Sequence, residues 1–176
     1  MNRVMVVLLG ALIVTLLAMP VSAYTQYDTV FFHGTMGESD SASENVYFES
    51  DGSEGHTIAL IPSSGTVYGV VNCPYFSYDS KQGGIQPRVR YLGLQYRTLQ
   101  YGQIYAVTVH NGPDWVDNIE FNPPLKSTMG YTLQVIDLGD WYRFNRGLNM
   151  RVWTENPSMT DIGSVTIAGY GARYEW

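Results

Sequence analysis

The chain has 176 residues, of which 16 are acidic and 10 basic, and its formal net charge is −6. This balance opposes binding to nucleic acid and to anionic lipid, so neither is an expected partner. The single cysteine, Cys73, excludes an intramolecular disulfide. Its neighbours are apolar, which predicts a buried, inert thiol, and the alternative is a bridge to another chain.

The first 23 residues have the pattern of a secretory signal peptide. Arg3 precedes an apolar run over 4–18, and Val21-Ser22-Ala23 supplies the small residues of a cleavage site. We therefore predict cleavage after Ala23 and a secreted, extracellular or cell-surface location. The alternative is a retained anchor, because the apolar run approaches the roughly 20 residues that span a bilayer. No second apolar run follows, so no other membrane contact is expected.

Residues 24–176 predict a single β-sandwich domain. No segment after the leader has a 3.6-residue period, and Tyr, Thr, Val and Gly are abundant, which favours sheet over helix. About ten short strands separated by turns indicate an antiparallel sandwich or jelly roll. In chain order, the predicted strands are 28–33, 44–50, 57–61, 66–71, 89–94, 103–110, 119–121, 131–136, 148–154 and 164–176.

Three connections between these strands carry their own predictions. Residues 34–43 are rich in turn-forming and acidic side chains and predict a loop. Pro62-Ser63-Ser64-Gly65 predicts a hairpin between the third and fourth strands. Pro123-Pro124 predicts the end of a strand.

The last predicted strand, Ser164 to Trp176, has the clearest two-residue alternation. Val165 and Ile167 share one parity, whereas Tyr170, Ala172, Tyr174 and Trp176 share the other. One extra residue at Gly169 would place all six on one face, and glycine is common at such bulges. We therefore expect this strand to close the core.

Several stretches between residues 28 and 137 share a pattern with a known class of secreted module. They are Gly34-Thr35, Val46-Tyr47-Phe48, Thr57-Ile58-Ala59-Leu60, and the strand-like stretches 99–109 and 130–135. Through these stretches, residues 28–137 resemble secreted β-sandwich modules of the pre-peptidase C-terminal type. The chain lacks the "DLDLY"-type strand of these modules and has an extra segment over 138–176. The resemblance implies an accessory domain without catalysis of its own.

Two loops place tryptophan among short polar residues and are candidate ligand-binding sites. A sugar ring needs a flat aromatic face, together with polar groups that pair with its hydroxyls. The alternative is that each tryptophan closes one end of the sandwich core. The candidate residues are Asp114, Trp115 and Asp117 in the first loop, and Asp140, Trp141 and Arg143 in the second.

Acidic side chains cluster in two further loops, and oxygen-rich loops suit Ca²⁺. The EF-hand spacing is absent, so the main interpretation is a solvated acidic face without a cofactor, and a structural Ca²⁺ is the alternative. The candidate metal ligands are Glu38, Asp40, Asp51 and Glu54.

Charge is distributed unevenly along the chain, which suggests self-association. Residues 24–80 contain eight acids and no Lys or Arg, whereas most arginines come later. Arg88 and Arg90 are two residues apart, so on a strand they would project from one face. Complementary faces of two copies would form a cell-surface polymer, unless the two regions neutralise each other within one molecule.

No nucleophile or phosphate-binding motif is present, so catalysis is not expected. The sequence therefore favours a non-catalytic protein of assembly or adhesion. A carbohydrate-binding module is the alternative. A secreted hydrolase, resting on Asp114, Asp117, Asp137 and Asp140, is third.

Overall fold

A computed structural model describes residues 25–76, 80 and 84–176, without the side chain of Ser41. The predicted signal peptide and its cleavage site lie outside these residues. The described part contains eleven strands and a 3₁₀ turn at Gly34–Met36, and none of its helices could cross a membrane. The strands are β1 Tyr27–His33, β2 Glu38–Ala42, β3 Val46–Asp51, β4 Gly55–Leu60, β5 Val67–Pro74, β6 Arg88–Gln100, β7 Gln103–Asn111, β8 Asp114–Leu125, β9 Thr132–Tyr142, β10 Leu148–Asn156 and β11 Gly163–Glu175.

The strands form two antiparallel sheets packed face to face, as the alternating pattern predicts. Sheet A has the order β3-β4-β11-β6-β9, with β1 also paired to β11. Sheet B has the order β2-β5-β10-β7-β8. The predicted β-sandwich is therefore confirmed, and β8 and β9 are edge strands.

The hydrophobic core lies between the two sheets and is built from every second residue of the long strands. Alternate residues along β6 and β10 are buried, and the intervening ones are more accessible. This is the alternation expected of strands with one face on a core. Cys73 belongs to the core, as predicted, and burial raises the pKa of its thiol far above its usual value.

Strand β11 is the central strand of sheet A and confirms the predicted change of parity. It pairs with β4 through its first half, with β1 through its second half, and with β6 along its length. The register shifts between Ile167 and Gly169, so the extra residue is Ala168, one position before the predicted Gly169. A Cβ on Gly169 would lie 2.5 Å from Cε1 of Phe31, which explains the glycine. The buried hydrophobic residues of both halves are Val165, Ile167, Tyr170, Ala172 and Tyr174.

Three local predictions are wrong. Strands β4 and β5 lie in different sheets, so the turn at 62–65 crosses the sandwich and does not close a hairpin. Part of the predicted loop 34–43 forms β2, an edge strand of sheet B. Pro123 and Pro124 lie within β8, where the edge position tolerates prolines that donate no ladder hydrogen bond.

Two arginines of the later region pair with acids of the early acidic region inside one molecule. Arg97 Nη2 lies 2.9 Å from Glu54 Oε2, and Arg151 Nη2 lies 2.5 Å from Asp40 Oδ2. At these positions the early and later regions neutralise each other internally, which removes part of the charge argument for a polymer.

Candidate ligand-binding site

A cavity of about 650 Å³ opens on the outer face of sheet A, at the end where β11 finishes and β6 begins. Glu175 of β11 pairs in register with Arg88 of β6, and β9 follows on the far side of β6. The cavity therefore draws its side chains from strands that are distant in the sequence. Its principal polar and aromatic lining residues are Gln86, Arg88, Trp141, Arg143, Glu175 and Trp176.

Trp141 is held at one side of the cavity by contacts on β9. Its ring meets the ring of Tyr91 edge to face, with centroids 6.1 Å apart and an interplanar angle of 86°. Its backbone nitrogen donates to Asp140 Oδ1 at 2.7 Å. The carboxylate of Asp140 therefore fixes the backbone that carries the indole.

Trp176 lines the cavity from the end of the chain. Its backbone nitrogen and oxygen each pair with Gln26 at 3.0 Å, which extends the pairing of β1 with β11 by one residue. Its indole nitrogen donates to Gln26 Oε1 at 2.9 Å, and the ring packs partly against the core. The indole is thus fixed before any ligand arrives.

The charged groups of the cavity differ in how they are engaged. Glu175 Oε1 lies 2.7 Å from Arg173 Nε, and the side chain of Glu175 is only 14% exposed. Arg88 and Arg143 are exposed, and neither forms an ion pair with a residue of the described ranges. The cavity therefore offers two guanidinium groups whose donors are not engaged by an acidic side chain of the described part of the chain.

The cavity combines indole rings with hydrogen-bonding groups on one concave surface. Indole faces contact the apolar side of a ring-shaped molecule, and the guanidinium and amide groups can donate to its oxygens. Burying such oxygens without partners would be costly, so a polar ring requires both kinds of group. A saccharide has this chemistry.

A second depression of about 400 Å³ lies further along the same face of sheet A. Gly93 of β6 and Gly171 of β11 are paired in register and form part of its lining, and Phe31 and Leu133 lie beside these glycines. Gly171 and Glu175 are four residues apart on one strand, which is about 13 Å. The outer face of sheet A thus offers contact surface beyond the first cavity.

The tryptophan of the first candidate loop lies elsewhere. Trp115 is opposite His110 in the β7–β8 pair of sheet B and is 62% exposed, so it does not close the core. Asp114 pairs with Arg146, and Asp117 Oδ1 accepts from the backbone nitrogen of Asn118 at 2.8 Å. Neither Trp115 nor these two aspartates line the cavity.

The two candidate loops nevertheless touch each other through Asn111. Its side-chain nitrogen donates to the Arg143 carbonyl at 3.3 Å and to Asn145 Oδ1 at 3.1 Å. Its side-chain oxygen accepts from the backbone nitrogen of Arg146 at 2.9 Å. The β7–β8 turn thereby supports the backbone that presents Arg143 to the cavity.

The four candidate metal ligands are spread over both sheets. Asp40 is on β2 of sheet B and pairs with Arg151, whereas Glu54 pairs with Arg97 beside sheet A. Asp51 accepts from the backbone nitrogen of Ser53 at 2.6 Å, and hydrogen bonds from Ser53 lower the pKa of its carboxyl. Within the described residues, no three His, Cys, Asp or Glu side chains converge on a point where a metal ion could bind.

Of the residues predicted for the second loop, Trp141 and Arg143 line the cavity, whereas Asp140 only accepts a hydrogen bond from the Trp141 backbone nitrogen. The other lining residues were not predicted. Arg88, Glu175 and Trp176 come from strands whose pairing with each other was not predicted. The aromatic last residue was interpreted only as part of the core. The signal that could have placed Trp176 at a ligand site is its neighbour Glu175, an acidic residue that pairs in register with the basic Arg88.

No family model and no curated protein matches the sequence, so the resemblance to pre-peptidase C-terminal-type modules stays a prediction. Several solved structures follow a similar chain course. TmCBM61 in complex with β-1,4-galactotriose has a TM-score of 0.47 and 8% identity, covering 79% of this chain and 89% of that one. A family 29 carbohydrate-binding module complexed with cellulohexaose has a TM-score of 0.46 and 11% identity, covering 86% and 93%. The structure of infectious bursal disease virus, Gt strain, has a TM-score of 0.45 and 13% identity, and the match covers 87% of this chain and 32% of that one.

Proposed function

We propose that the protein is a non-catalytic carbohydrate-binding protein and that the cavity beside Trp141 is its binding site. The observation that carries the proposal is the combination of Trp141 and Trp176 with Arg88 and Arg143 around one cavity of about 650 Å³. Pockets of this volume suit small ligands, and their few polar groups fix the orientation of the ligand.

The proposal assigns a separate task to each kind of side chain. The indoles supply the apolar contact area. Gln26 already immobilises the Trp176 side chain, so ligand binding costs little conformational entropy at this residue. The guanidinium groups and the side-chain amide of Gln86 can donate hydrogen bonds to the hydroxyl oxygens of a sugar. No group is required to act as a nucleophile or a general acid.

The test is titration calorimetry against saccharides selected on a glycan array, using the wild-type protein and two variants. Trp141→Ala should weaken binding by about 2 kcal/mol or more, the range of a central hot-spot residue. It should reduce folding stability only modestly, because the edge contact with Tyr91 contributes about 1 kcal/mol.

Trp115→Ala is the matched control, since it removes an exposed indole from sheet B outside the cavity. We expect it to leave the affinity unchanged. If Trp115→Ala abolished binding and Trp141→Ala did not, the site would be the β7–β8 turn and the proposed cavity would be wrong. If no saccharide bound the wild-type protein, the proposed function would be wrong.

Export and adhesion fit this function, because a glycan-binding protein on a cell surface attaches the cell to surfaces that carry those glycans. N-terminal sequencing of exported protein tests the predicted cleavage after Ala23. Self-association also stays a prediction. Sedimentation at low and high salt tests it, and a monomer under both conditions would contradict it.

A further inference from the structure

The arginines of the described residues divide into two groups. Five of them form ion pairs within the molecule, whereas Arg88 and Arg143 form none with any described residue. Both unpaired arginines line the same cavity. The five intramolecular pairs are Arg90–Asp137, Arg97–Glu54, Arg146–Asp114, Arg151–Asp40 and Arg173–Glu175.

The cavity is consequently a local positive site on an acidic chain. Glu175 is the one acidic side chain of its described lining, and Arg173 already engages that carboxylate at 2.7 Å. The net charge of −6 opposes an anion at long range, but salt screens that repulsion beyond about 8 Å at physiological ionic strength. Close to the cavity wall, the two guanidinium groups dominate.

We propose that the saccharide bound in this cavity is anionic, with its oxyanion held by Arg88 and Arg143 and its ring against the indoles. This inference rests on the proposed carbohydrate-binding function. A guanidinium group presents parallel N–H donors that match two oxygens of a carboxylate or sulfate. The oxyanion belongs to either a uronic acid or a sulfate ester, which share this chemistry.

The second depression on the same face indicates a ligand longer than one sugar residue. Tyr91 and Arg173 are paired in register and line the second depression, on the side nearest the Glu175–Arg88 pair of the first cavity, and Tyr91 contacts Trp141. An oligosaccharide anchored at Arg88 can therefore continue across this pair. Tetrasaccharides are accordingly suitable probes.

The test uses calorimetric titration of the purified protein with two matched pairs of probes. The first pair is tetragalacturonate and its methyl ester, and the second is a galactotetraose with and without sulfate esters. We expect the charged member of at least one pair to bind at least tenfold more tightly than its neutral partner. The pair that shows the difference identifies the source of the oxyanion.

Arg88→Gln and Arg143→Gln keep hydrogen-bonding capacity but remove the charge. Each should weaken binding of the charged probe by about ten- to a hundredfold, the range for hydrogen bonds to charged groups, and leave the affinity for the neutral partner nearly unchanged. Arg97→Gln is the control, because it removes the same charge at the ion pair with Glu54, outside the cavity. It should change the affinity less than twofold.

The failure of this inference differs from the failure of the proposed function. If neutral and charged probes bound equally and neither arginine variant mattered, while Trp141→Ala still weakened binding as expected, the anionic preference would be overturned and the carbohydrate site would stand. If no probe and no arrayed saccharide bound, both would be overturned. Equal losses in Arg97→Gln and Arg88→Gln would show an effect of net charge and also overturn the inference.

Discussion

The buried hydroxyl of Tyr170 permits a sharp test of the core of this sandwich. Tyr170 is fully buried on β11, with its ring stacked on Phe32 at 5.5 Å between centroids and edge-on to Tyr75 at 5.1 Å. Its hydroxyl oxygen is buried and hydrogen-bonds to none of the described residues. Burial also raises the pKa of this phenol well above its usual value.

The free-energy consequences of two substitutions at Tyr170 have opposite signs. A buried polar group without a partner costs about 1–3 kcal/mol, so Tyr170→Phe should raise the free energy of unfolding by about 1 kcal/mol or more. Tyr170→Ala removes the ring and should lower it by about 3–5 kcal/mol. The total for a domain is only about 5–15 kcal/mol, so the alanine variant will be close to unfolding.

Tyr174 is the matched control for the hydroxyl effect. It lies on the same strand and is also buried, but its hydroxyl donates to the Phe76 carbonyl at 2.8 Å. Tyr174→Phe should therefore lower the free energy of unfolding by about 1 kcal/mol. The comparison separates a hydroxyl with a hydrogen-bond partner from one without.

Urea unfolding followed by fluorescence measures all three variants, and an unchanged slope confirms that the midpoints report stability. If Tyr170→Phe lowered the free energy of unfolding as much as Tyr174→Phe does, the Tyr170 hydroxyl would be hydrogen-bonded in solution. The assignment of an unpaired group would then be wrong.

Two further predictions concern pH and metal ions. Burial lowers the pKa of His56, so below its usual value of about 6.5 the unfolded chain binds a proton that the folded chain resists. The free energy of unfolding should therefore fall from pH 7 to pH 5, and His56→Gln should reduce this slope. The remaining slope includes the contribution of His110, because burial lowers its pKa as well. Because Asp40 and Glu54 are engaged by arginines, adding Ca²⁺ or EDTA should leave the melting temperature unchanged; a rise with Ca²⁺ would restore the predicted calcium site.

The sheet structure was predictable wherever one face of a strand meets the core. In β11 the apolar parity and its single change are visible in the sequence, because a two-residue period directly reflects which side chains are buried. Strand β2 was missed for the same reason. Its sequence, Glu-Ser-Asp-Ser-Ala, has no apolar alternation, and it is held as an edge strand by β5.

Pairing between distant strands was not predictable from local patterns. The segments around Pro62 have the composition of a hairpin, yet β4 pairs with β3 and β11 while β5 pairs with β2 and β10. Turn residues indicate that the chain changes direction, but they do not indicate whether it returns to the same sheet. The different roles of Arg88 and Arg90 were also not predictable from their two-residue spacing. The register between β6 and β9 shifts between Val89 and Tyr91, and Arg90 binds Asp137 while Arg88 lines the cavity.

The candidate site follows from this long-range pairing. Trp141 and Arg143 are close in sequence and could be recognised together, but Trp176 reaches the cavity only because β11 is flanked by β1 and β6. The backbone pairing of Gln26 with Trp176 brings the two ends of the described domain together at the cavity. The β1–β11–β6–β9 part of sheet A must therefore form before the cavity exists, and a ligand that contacts these strands binds the folded state alone. Binding at this site and the stability of sheet A are for that reason coupled.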